Sequence, residues 1–185
     1  PTFAPMAIEE VVAKIKALKP GLVCAPHVET STGIILPDDY IKAVAAATHE
    51  VGLTLLHNRP RHTCDAALTL AACAVPSLLL SRATARPTQV GGLFCLDCIA
   101  SGNVWVDMKA TGVDALISAP QKGWSGPACV GMVMLSERAR VVVDDPAAQP
   151  SVTSFCCNLK KWVDVMDKYE NGSFMPVPCG GGGGG

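Results

Sequence analysis

Aromatic and charged side chains are scarce in this chain. Of its 185 residues, only 5% are aromatic and 17% charged, and the formal net charge is -1. With no net positive field, and with Lys and Arg scattered rather than clustered, nucleic acid is a poor partner. No uninterrupted apolar run reaches the length needed to cross a membrane, so no membrane partner is expected. The chain opens on Pro1 without a charged stretch followed by an apolar core, so nothing at this end reads as a secretory signal, and the true start is expected to lie upstream. What the chain has in quantity is apolar residue, 49% of the total. That is enough to bury one sizeable core, and a single domain is the default expectation.

Nine cysteines are many for this length, yet an odd number cannot make a complete disulfide framework, so a reducing, intracellular setting is expected. Cys95 and Cys98 have the separation of half a zinc or redox site. No second half follows at zinc-finger spacing, and residues three apart on a strand face opposite ways, so ordinary buried thiols are the better reading and no metal is expected.

The stretch from Asp114 to Pro127 organises the rest. A short apolar run, Ala115 to Ile117, leads to Lys122. A turn of Gly123, Ser125, Gly126 and Pro127 follows, and then a second apolar run, Val130 to Leu135. A lysine so placed is either a surface residue on a connecting loop or an amine suited to forming a Schiff base. Upstream, Asp97 ends the run Leu93 to Leu96 just before a turn of small residues, which is where open α/β sheets bind ligands. It either caps the structure that follows or serves a ligand in the crevice.

Three segments carry a family resemblance: His27-Val-Glu-Thr-Ser-Thr-Gly33, Leu96-Asp-Cys-Ile-Ala-Ser101 and Ser118-Ala-Pro-Gln-Lys-Gly-Trp124. Together, in this order, they resemble the class V, fold type I pyridoxal 5'-phosphate aminotransferases, nearest the alanine-glyoxylate and serine-glyoxylate (serine-pyruvate) group. The resemblance runs from about Met6 to Ser136 and returns weakly from Ser154 to Gly172. It implies the central part of a large domain, an α/β fold with a mostly parallel, partly mixed sheet and helices on both faces. It also implies that Lys122 is the catalytic lysine that carries the cofactor. Asp97 would pair with the ring nitrogen, Thr30 would bond the phenolic oxygen, Ile99 would pack on the ring, and Gln121 would reach toward the phosphate. The implied activity transfers an amino group from alanine or serine to a small 2-oxo acid such as glyoxylate or pyruvate, in a homodimer. The glycine- and serine-containing phosphate loop and the arginine that clamps the substrate carboxylate are expected outside this chain. Two other readings stay open: a cysteine-desulfurase-like enzyme on the same cofactor, and an inactive fragment acting only as an interaction partner.

Along the chain, Ile8, Val11, Val12, Ile15 and Leu18 predict an amphipathic helix that Pro20 and Gly21 stop. Leu22 to Ala25 reads as a buried strand, and Pro37, Asp38 and Asp39 open a second helix reaching Gly52. His27 is either a ligand contact or a hydrogen-bonded core histidine, and Thr30 to Thr32 also read as a plain hydroxyl-rich turn. Thr111 to Ser118 is expected as strand, Ser136 to Arg140 as a short helix, Val141 to Val152 as loop, and Ser154 to Tyr169 as a helix with an apolar face.

Two stretches break the pattern. Leu53 to Val90 carries four arginines, no lysine and one acid, and is bracketed by Val51-Gly52 and Val90-Gly91, as though spliced into a direct helix-to-strand connection. It is expected to be translated intron, or else a lineage insertion with a surface helix near Ala66 to Cys73. Residues 1–175 are therefore read as a partial cofactor-binding domain, and residues 176–185, a glycine-rich tail, as unstructured.

Overall fold

The computed structural model describes residues 4–51, 68–69, 91–145 and 154–170. Most of residues 53–90, and all of residues 146–153 and 176–185, lie outside the described residues.

Helix α1 spans Ile8–Leu18, with Glu9 and Glu10 in its first turn and Val11 and Ile15 fully buried. It ends at Lys19, in a left-handed conformation that returns its N–H to the Ile15 carbonyl. Strand β1, Leu22–Pro26, follows, and then a small hairpin of β2, Val28–Glu29, and β3, Ile34–Ile35. Helix α2 covers Asp38–Val51, opened by Pro37 and two acids as the sequence predicts.

The main sheet has the order β4-β1-β5-β6-β7, where β4 is Leu68–Thr69, β5 Leu93–Asp97, β6 Ala115–Ser118 and β7 Met132–Leu135. All neighbours run parallel except β7, which is antiparallel to β6. This is the mixed, mostly parallel α/β sheet expected. At Leu68 and Thr69 the backbone is extended and pairs with β1, where the alternative reading put a surface helix.

Alternation along the strands sorts side chains to two faces. Val23, Ala25, Phe94, Leu96 and Leu116 share one face and form a single buried cluster with Val11 and Ile15 of α1 and Ile41 and Val44 of α2. The opposite face carries Leu22, Cys24, Cys95, Asp97 and Ile117, and of these only Cys95 is buried. Near its β7 edge, Val163 of helix α5, Leu159–Glu170, joins Val133 and Leu135 around a cavity of about 420 Å³.

The start of β5 lies hard against the end of α2. A Cβ on Gly91 would stand 2.1 Å from the His49 carbonyl oxygen, so only glycine fits. The chain thus leaves α2 at Val51 and enters β5 in contact with that same helix end.

Three boundaries differ from expectation. The stretch predicted as strand from Thr111 begins instead as a one-turn helix, α3, Met108–Thr111, because Asp107 accepts from the Lys109 and Ala110 N–H groups and Gly112 stops the turn at φ 77. Helix α4 runs over Glu137–Asp144, beyond the expected end at Arg140. Its Ser136 cap accepts from Ala139, and Arg140 pairs with Asp144 one turn on, which outweighs the poor helix propensity of Val141 to Val143. Helix α5 starts later than Ser154 because Asn158 accepts from the Lys161 N–H and sets its first turn.

Candidate functional site

The three motif segments meet at the carboxyl end of the sheet. Pro26 pairs with Asp97, and Asp97 with Ile117, so the last residues of β1 and β5 and the penultimate residue of β6 form one row. The ladder continues a step further: His27 donates its N–H to the Asp97 carbonyl at 2.8 Å, and Cys98 donates to the Ile117 carbonyl at 2.8 Å. Asp97, in the middle, is exposed, and its Oδ1 accepts the Ile99 N–H at 2.9 Å. That bond fixes the carboxylate against the turn that follows.

Lys122 lies four residues beyond the end of β6 and is exposed. Its turn is closed by two backbone bonds, Ser125 N–H to the Lys122 carbonyl and Gly126 N–H to the Pro120 carbonyl, with Ser125 in a left-handed conformation at φ 52. This turn packs directly on the turn after Asp97. A Cβ on Gly123 would meet the Cα and carbonyl oxygen of Gly102, each at 2.4 Å. The glycines allow backbone to approach backbone, and so hold the lysine loop beside the aspartate loop.

Other residues singled out in the sequence are less closely gathered. Thr30 is exposed at the tip of the β2–β3 hairpin, where Glu29 accepts from both the N–H and the hydroxyl of Ser31. Gln121 is exposed beside Lys122, and Ile99 is half-buried. Among the described residues, no hydrogen bond or ion pair joins Thr30, Asp97, Gln121 and Lys122 to one another. The His27 bonds and the touching turns join the three segments, while Thr30 itself stands at the hairpin tip.

His27 is a core residue. It is 2% exposed, and its Nδ1 lies 2.7 Å from the Ser101 hydroxyl, also buried. Burial pushes its pKa down, and the charge of Asp38 and the Leu36 backbone only partly oppose this. The bond ties the end of β1 to the turn after Asp97. Trp124 stacks at a tilt on Trp105, with ring centroids 6.3 Å apart, and both rings border a cavity of about 620 Å³ with Leu116, Ser118 and Met134. Neither Asp97 nor Lys122 lines that cavity.

Sequence reasoning missed a second polar centre, at the opposite end of the sheet. Asp114, 1% exposed, accepts from His49 Nε2 at 2.8 Å, the Phe94 N–H at 3.0 Å, the Ser136 hydroxyl at 2.9 Å and Arg138 Nε at 3.2 Å. Burial pushes the carboxyl up, but these donors outweigh it and hold its pKa below the usual carboxylate value. It clamps α2, β5, β6 and α4 together. The one available signal was an acid directly before an apolar strand.

No family model matches the chain, and no curated protein matches it in sequence. Solved structures do. An alanine-glyoxylate aminotransferase from Nostoc sp. superposes with a TM-score of 0.57 at 19% identity, over 96% of this chain and 35% of its own. A ureidoglycine-glyoxylate aminotransferase from Bacillus subtilis gives 0.53 at 23%, over 89% and 30%, and an aspartate aminotransferase from Thermus thermophilus 0.54 at 21%, over 94% and 35%. At these identities the likeness shows the fold, a mixed α/β sheet of the fold type I aminotransferase kind. The chain spans about a third of the length of the structures it matches.

Proposed function

We propose that this chain carries the cofactor-binding centre of a pyridoxal 5'-phosphate-dependent aminotransferase that moves an amino group from alanine or serine to a small 2-oxo acid such as glyoxylate or pyruvate. The observation that carries the reading is the contact of the Lys122 turn with the Asp97 turn at the carboxyl end of parallel strands. An amine and a carboxylate held on touching turns, both open to the same edge, fit a group that is attached through an amine and needs a proton kept on a ring nitrogen. Bound pyridoxal phosphate supplies an electron sink for charge left on the substrate's α-carbon.

The chain's own residues then have defined tasks. Lys122 Nζ is the covalent attachment point and, once displaced by the amino donor, the base that takes the proton from the α-carbon. Asp97 keeps the ring nitrogen protonated. Because Oδ1 is occupied by the Ile99 N–H, Oδ2 is the oxygen assigned to that proton. The Ile99 side chain packs against the ring, the Thr30 hydroxyl donates to the phenolic oxygen, and the Gln121 amide reaches the phosphate. Thr30 and Gln121 are exposed, so each is free to turn toward a ligand at the edge. A homodimer that completes the pocket, including a cation for the substrate carboxylate, belongs to the proposal.

The test is a visible absorption spectrum of the purified chain with added pyridoxal phosphate, before and after borohydride, beside Lys122→Ala. A band in the native protein that is absent from the variant, with reduction fixing the cofactor on the peptide holding Lys122, is the expected result. No band, or equal bands in both proteins, would overturn the reading for this chain.

A further inference from the structure

We propose that Cys24 and Cys95 form an adjacent-strand dithiol that hydroperoxides oxidise to a disulfide, a modification site distinct from the Lys122 and Asp97 chemistry. Cys24 on β1 and Cys95 on β5 are direct partners in the parallel register. In-register neighbours on parallel strands project to the same face, with Cα atoms about 4.8 Å apart, inside the window of about 4.4–6.8 Å that a disulfide spans. The pair sits on the face of the sheet opposite the α1–α2 core. Cys24 there is half-buried and Cys95 is buried. Cys98, three residues on, belongs to the core cluster of the other face, so it does not compete for this pairing.

The two thiols are also ordered in reactivity. The Cys95 S–H donates to the Cys24 sulfur, which lowers the Cys24 pKa against the opposing effects of burial and the Asp97 charge. The same bond, with burial, pushes Cys95 up. The more accessible sulfur is therefore the first to become thiolate, and its partner supplies the second thiol already in place.

Each step balances. The Cys24 thiolate attacks the terminal oxygen of the hydroperoxide, the O–O bond breaks, and the alkoxide leaves with a proton as the alcohol, or as water from hydrogen peroxide. Cys24 becomes a sulfenic acid, oxidised by two electrons. The Cys95 sulfur then attacks the Cys24 sulfur, and hydroxide departs with the Cys95 proton as water. Net, two thiols and one hydroperoxide give a disulfide, an alcohol and water. The product is a covalent link between β1 and β5, two residues before Asp97.

The test treats the full chain with hydrogen peroxide, blocks remaining thiols, and maps cross-linked peptides by mass spectrometry, natively and in urea. The expected result is a Cys24–Cys95 disulfide enriched at least about tenfold in the native chain over the unfolded one, since only the fold raises their effective concentration. Dithiothreitol should reverse it. In Cys95→Ser, dimedone should trap a sulfenic acid at Cys24. Oxidation confined to the exposed thiols Cys129, Cys156 and Cys157, or a Cys24–Cys95 link equally abundant in urea, would overturn the proposal.

Discussion

The Nδ1 atom of His27 and the hydroxyl of Ser101 lie 2.7 Å apart with both side chains buried, joining the end of β1 to the turn that follows Asp97. The contact spans 74 positions in sequence. Because burial holds the His27 pKa down, the folded chain resists its protonation while the unfolded chain does not.

The consequence is a pH-dependent stability with a definite sign. The His27 contribution is complete above the unfolded histidine pKa of about 6.5, and it is lost as pH falls from there toward the lower folded value. Urea unfolding at a series of pH values between 8 and about 5 should show this decline, and His27→Gln should flatten it. An unchanged slope in the variant would assign the decline to other groups.

Asp114→Ala should destabilise the chain by about 2–4 kcal/mol, since it leaves donors from α2, β5 and the capped start of α4 without their buried acceptor. Equilibrium denaturation checks this. The folded Asp114 pKa is depressed, so its stabilisation is present above about pH 4 and lost as pH falls through the folded value. The acid limb of the stability curve should therefore be shallower in the variant.

Gly123→Ala should cost about 1–3 kcal/mol, because the new methyl meets Gly102 backbone at 2.4 Å and neither turn can yield without breaking its own hydrogen bonds. The denaturation midpoint reads the cost. If Lys122 and Asp97 work together, the lysine-dependent absorption band should weaken in the same variant at temperatures where it is still folded.

Asp97→Asn should preserve the Ile99 N–H bond, because the amide keeps a carbonyl oxygen, while removing the negative charge. On the proposed function, the expected outcome is unchanged thermal stability with any transamination by the complete enzyme reduced by about 100-fold or more, as loss of a positioned acid–base partner implies. A matching loss of stability would instead make Asp97 a structural cap.

Sequencing of the mature transcript tests residues 53–90. Gly91 lies against the His49 carbonyl, so the start of β5 packs on the end of α2. A message lacking the segment fits read-through, whereas a message containing it in full makes the segment a genuine insertion and the Leu68–Thr69 pairing part of the native sheet edge.

Local pattern determined much of this protein in advance. The period of α1, the proline and acids that open α2, and the apolar runs of β1, β5, β6 and β7 are each decided within a few residues, so they could be read from the chain. The three motif segments were legible for the same reason, and with them the candidate roles of Lys122 and Asp97. Boundaries were harder where a cap or an ion pair decided them. Asp107 turned the start of an expected strand into helix, and the Arg140–Asp144 pair carried α4 past its expected end. Only tertiary structure could bring Gly123 against Gly102, His27 against Ser101, and His49, Ser136 and Arg138 around Asp114. Those contacts join residues tens of positions apart, and they depend on strand order and register, which no local periodicity encodes.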